Sequence, residues 1–190
     1  MTNINSSGGP NISVCFSTTN HLVSRVIRFV TRSEVSHALL TYQDETLGKV
    51  MVLEAVGVGF RMVPWTKWRQ GNTLVARFGV VRGAPGEAIS QEVQVRALQA
   101  LAGLLGEEYD TLGALGYVFK RLFKYAFKKL RNPFQSPHKL FCSEAVALFL
   151  RYLKLLPEKL DPAFQSPGDL LSLCWDISKS SGYLTCLERG

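Results

Sequence analysis

Short runs of apolar and β-branched residues dominate the first half of the chain, and three-to-four-residue apolar spacing dominates the second. Residues 12–16 read as a strand. Ser17-Thr18-Thr19-Asn20 then supplies helix N-cap chemistry, and Leu22, Val23, Val26, Ile27 and Val30 follow at helical spacing, which predicts an amphipathic helix over 20–31. Further strands are predicted at 36–43, 49–56, 60–63 and 73–81, with Pro64 and residues 65–72 forming a loop between the last two. Beyond these the period changes. Residues 87–106 carry Ile89, Val93, Leu98, Leu101, Ala102 and Leu105 on one helical face. Residues 113–130 place Phe119, Leu122, Phe123, Ala126, Phe127 and Leu130 on one face and lysines and arginines on the other. A loop bounded by Pro133 and Pro137 leads to a helix from Cys142 to about residue 155, and residues 182–187 close the chain as a last strand. The fold class is α+β, an antiparallel sheet packed with helices.

Composition adds limits to this picture. The 190 residues are 46% hydrophobic and 19% charged, values of a globular protein with a real core. Residues 1–10 are polar and rich in Gly and Ser, and are expected to be a disordered arm before a single domain at 11–190. They show no signal-peptide pattern, and no apolar run reaches the roughly 18 residues of a membrane span. The expectation is therefore cytoplasmic at synthesis, with phage association or another export route as the way to an outside substrate. Cys15, Cys142, Cys174 and Cys186 show neither CxxC pairing nor zinc-ligand spacing, so reduced thiols are expected. The net charge of +7 draws heavily on Lys120, Arg121, Lys124, Lys128, Lys129 and Arg131.

Candidate chemistry centres on Cys142, which opens an apolar helix. A thiol there lies at the positive end of the helix dipole, which favours the thiolate. The hairpin of 36–43 and 49–56 offers its partners. With Asp44 to Leu47 as a four-residue loop, Gln43 faces Gly48 and His37 faces Glu54. Glu54 is the lone carboxylate in an apolar strand and needs a partner, either His37 or a basic side chain such as Arg61. His21 lies in the first turn of a helix. His138, four residues before Cys142, is the reserve histidine.

Ser36-His37-Ala38, Val52-Leu53-Glu54-Ala55, Gly106-x-x-Tyr109-Asp110 and Phe141-Cys142-Ser143-Glu144, in that order, resemble the circularly permuted NlpC-like, papain-fold cysteine amidases of the YaeF/YiiX type. Ser166-Pro167-Gly168-Asp169-Leu170 also looks like a feature of that family. The resemblance implies a permuted papain-like fold with Cys142 as nucleophile, His37 as general base and Glu54 as its orienting residue. Tyr109 and Asp110 fall where the family has a recurrent Tyr-Asp pair near the cleft, with helix capping by Asp110 as the alternative. The implied activity is hydrolysis of amide bonds in peptide, isopeptide-like or peptidoglycan-peptide substrates through a thioester, with no metal or organic cofactor.

Two other functions compete. An acyltransferase or lipid and ester hydrolase of the same broad fold would act on an acyl substrate, with the basic helix at 113–131 meeting an anionic membrane surface. For that helix the alternative is ordinary packing of its phenylalanines on the sheet. A non-catalytic module for an anionic partner is the third reading, but the chain has no nucleic-acid motif, so nucleic acid is not the expected partner.

Overall fold

The computed structural model describes residues 12–57, 59–81, 89–106 and 142–190. The expected arm at 1–10, the basic helix at 113–131, Tyr109, Asp110 and His138 lie outside the described residues. Among the described residues the elements run β1 (Ser13–Thr18), α1 (Leu22–Thr31), β2 (His37–Asp44), β3 (Lys49–Val56), β4 (Gly59–Pro64), α2 (Trp65–Trp68), β5 (Thr73–Val80), α3 (Gln91–Ala102), α4 (Cys142–Tyr152), a 3-10 turn (Pro162–Phe164), α5 (Pro167–Ser180) and β6 (Leu184–Arg189). The architecture is α+β. One antiparallel six-stranded sheet is ordered β4-β3-β2-β1-β5-β6, which places the two strands nearest the N-terminus at its centre.

Strand alternation gives the sheet two different faces. Val14, Phe16, Ala38, Leu40, Leu53 and Ala55 join the main core with the buried sides of α3, α4 and α5. Cys15, Leu39, Val52 and Leu74 point to the opposite face and form a small second cluster with Trp68 of α2. α4 supplies the deepest helical contribution through Val146, Ala147, Phe149 and Leu150, and packs against β2 and β3. Its all-round apolar sequence follows from that burial.

Several expectations change in detail. The β2–β3 ladder runs from Asp44 opposite Lys49 to Leu40 opposite Leu53, a register two residues away from the expected one. Gly48 takes a left-handed φ of 59°, which removes it from the strand, and Asp44 Oδ1 accepts the Leu47 amide at 2.9 Å to close the loop at 45–48. The shift is by an even number, so every side chain keeps its face. The predicted 65–72 loop contains α2. α1 starts after His21, which makes no side-chain cap, so the Ser17–Asn20 run does not cap it; Thr18 lies in β1 instead. On α3 the fully buried positions are Gln94, Ala97 and Leu101, while Val93 is exposed, and so is Leu105 in the turn that follows the helix.

α5 was not anticipated, although its start has a clear local cause. Ser166 and Asp169 form a reciprocal capping box, with Pro167 at the first helical position. The helix start packs closely on the α1–β2 connection: a Cβ added to Gly168 would lie 2.7 Å from both Cβ and Oγ of Ser33. Gly168→Ala is therefore expected to lower stability by about 1–3 kcal/mol in urea denaturation. Ser33→Gly in the same chain removes both opposing atoms and should recover part of that loss.

Candidate active site

His37 is the first residue of β2, and Glu54 lies on the same sheet face of β3. The ladder between the two strands ends at Leu40 and Leu53, so His37 is offset diagonally from Glu54 instead of lying opposite it. The longer reach suits an imidazole. His37 Nε2 lies 2.9 Å from Glu54 Oε2, and a carboxylate only accepts, so Nε2 is the donor.

Glu54 is 2% exposed and is held from three directions. Arg61, directly opposite on β4, donates to Oε1 from Nε at 3.0 Å and from Nη2 at 2.7 Å. Trp68 Nε1 of α2 donates to Oε2 at 3.0 Å. His37 and Arg61, the two partners that the sequence left as alternatives, both bind the carboxylate. Trp68 is an addition that the sequence did not reveal. Its indole is stacked on Trp65, with ring centroids 4.9 Å apart and planes at 17°, and this fixes its direction. Nothing in the local pattern marks Trp68 as a donor, because the face that α2 covers is decided by the sheet.

Burial works against charge on Glu54, but the hydrogen bond and charge of His37, then those of Arg61, hold its carboxyl below the ordinary value. A buried carboxylate with this donor set is paired and satisfied.

Cys142 is the first residue of α4, is buried, and is a hydrogen-bond partner of His37. With Nε2 committed to Glu54, Nδ1 is the ring nitrogen left for the sulfur. Burial favours the neutral thiol. The His37 charge and hydrogen bond oppose it, joined by backbone N–H groups of Ala38 and Ser143, and the net effect lowers the Cys142 pKa. For His37 burial disfavours the cation, but the Cys142 thiolate and then Glu54 raise its pKa above the ordinary value. The two shifts together favour the thiolate–imidazolium form of the pair. The imidazole stays 16% exposed, so the pair is within reach of solvent.

The other thiols differ. Burial pushes Cys15 up to about 12, and its sulfur lies 3.7 Å from Thr41 Oγ1. Burial also raises Cys174. Cys186 is half-buried and donates to the Glu188 carbonyl.

The fold of this six-stranded antiparallel sheet and its helices has a known structural counterpart. The chain resembles the crystal structure of the metalloprotein YiiX from Escherichia coli O157:H7, a DUF1105 protein, with a TM-score of 0.57 and 17% sequence identity over 96% of this chain and 98% of that one. The likeness covers essentially both chains and shows a YiiX-like fold. No family model and no curated protein matches the sequence. Among the described residues, no helix is long and apolar enough to cross a membrane.

The Glu54 charge has a consequence for stability. A carboxyl held low in the folded state stabilises it above the unfolded value of about 4.3, and that contribution disappears as pH falls through the lower folded value. The stability advantage of the wild type over Glu54→Gln in urea denaturation is expected to be full at neutral pH and to shrink on acidification below that unfolded value.

Proposed function

We propose that the chain is a cysteine hydrolase of permuted papain-like type that cleaves amide bonds, with Cys142 as nucleophile, His37 as acid–base and Glu54 as the residue that orients His37. The observation that carries this reading is the Cys142–His37 pair, whose partner Glu54 is itself clamped by Arg61 and Trp68. A thiolate is the reactive form of cysteine, and a locked imidazole is the usual means of keeping one.

In this mechanism the Cys142 thiolate attacks the carbonyl carbon and forms a C–S bond. The carbonyl electron pair moves to oxygen, and backbone amides around Cys142 stabilise the charge. His37 donates its proton to the amide nitrogen as the C–N bond breaks and the amine leaves. Neutral His37 next takes a proton from water, whose oxygen attacks the thioester. Collapse of that second intermediate breaks the C–S bond, releases the acid and restores thiolate and imidazolium.

Arg61 and Trp68 act one step back. They keep Glu54 charged and fixed, so that Nε2 remains protonated and Nδ1 faces the sulfur. Peptidoglycan peptides are the first amide substrates to assay. Tyr109 and Asp110 remain proposed cleft residues on the strength of the resemblance alone.

YiiX is described as a metalloprotein. Among the described residues no group of three or more His, Cys, Asp or Glu side chains is arranged to hold a metal, and the Glu54 oxygens already accept four hydrogen bonds. No step is assigned to one.

Two measurements test the reading. Cys142→Ala and His37→Ala are each expected to lower amide turnover by about a thousandfold or more; undiminished turnover in either would sink it. Iodoacetamide labelling of Cys142 should stay fast as pH falls below about 8.5, the value of a free thiol. It should slow only once pH passes the lowered Cys142 value. In His37→Ala the labelling profile should return toward that of a free thiol.

A further inference from the structure

The geometry points to α1 as a docking element that lies on an anionic membrane surface beside the Cys142–His37 pair. The helix is amphipathic, but it is turned the unusual way round. Its buried residues are Ser24 and Thr31, while Leu22 is 73%, Val23 70%, Phe29 79% and Val26 40% exposed. At about 100° per residue, Phe29, Leu22, Val26 and Val23 form one continuous stripe on the outward side. An exposed contiguous apolar stripe on a well-packed domain marks a contact surface.

The polar side of the helix anchors it. Ser24 Oγ lies 2.6 Å from Ser36 Oγ and 3.1 Å from Thr18 Oγ1, and it accepts the Thr19 amide at 3.1 Å. These bonds tie α1 to the ends of β1 and β2, one residue from His37. The outward orientation is thus built in by a buried hydroxyl network.

Charge selects the occupant. Arg25 and Arg28 flank one side of the stripe and Arg32 follows the helix end, with no Asp or Glu anywhere before Glu34. Arginines beside an apolar stripe suit a lipid interface, where side chains enter the acyl boundary and guanidinium groups remain at anionic headgroups. Size points the same way. A ten-residue helix is only about 15 Å long. Its one face is far smaller than the roughly 800 Å² per partner of a stable protein interface. A fluid surface needs no such area from one element.

Cosedimentation of the full chain with phosphatidylcholine vesicles, with and without phosphatidylserine, tests the assignment. Wild-type protein should bind the anionic vesicles, and high salt should weaken that binding. Leu22→Ser with Phe29→Ser should reduce partitioning about tenfold or more, and Arg25→Glu about fivefold or more. All three positions are exposed, so circular dichroism and the Cys142 labelling rate should be unchanged, which separates this proposal from the catalytic one. Absence of vesicle binding would overturn it. So would full binding by both variants, which would move the contact elsewhere, to the basic 113–131 segment first. A wild-type dimer that the double serine variant converts to monomer would also overturn it, by making α1 a subunit contact.

Discussion

The buried Glu54 carboxylate is the constraint around which the site is arranged. A charge at 2% exposure survives only with enough donors, and four N–H groups from β2, β4 and α2 supply them. Each donor is also a positional demand. Arg61 must lie opposite on the next strand, Trp68 must fold back over the sheet, and His37 must stand at the strand end with Nε2 inward. Once Nε2 is occupied, Nδ1 is directed to Cys142. The electrostatic state of the cysteine therefore begins with a carboxylate that never touches it.

The sheet makes this possible by separating two tasks. Its helix-covered face carries the main core, and α4 is driven into that core by Val146, Phe149 and Leu150. That packing fixes where the first residue of α4 arrives, so Cys142 is placed by hydrophobic burial further along the same helix. The opposite face carries the Glu54 clamp under α2. Sulfur and imidazole meet at the end of β2, where the backbone N–H of Ala38 also reaches the sulfur. α1 is attached to the same strand end through Ser24 and Ser36, so the exposed apolar stripe and the Cys142–His37 pair share one edge of the molecule.

How legible this was depended on the range of each interaction. The strands and most helices followed from local pattern, because alternation and helical spacing directly record which side is buried. The His37–Glu54 partnership was readable although the assumed pairing was not the one formed. Gly48 in a left-handed conformation moved the ladder by two residues, and an even shift preserves faces. α5 carried an adequate signal in Ser166-Pro167-x-Asp169, a capping box with proline at the first helical position. α1 shows the converse case: its spacing correctly indicated a helix, yet amphipathicity does not say which face is turned inward.

The α+β element pattern, the one thiol at the head of an apolar helix and a strand carboxylate that required a partner were all legible in the chain of residues alone. These are properties of neighbouring residues, recorded in periodicity and in the cost of burying a charge. It took the assembled fold to make Arg61 and His37 share Glu54, to bring Trp68 into its donor set and to turn the apolar side of α1 outward. Those outcomes depend on strand order, on where α2 folds back and on a hydroxyl network joining two strand ends, and none of these distances exists until the sheet is assembled.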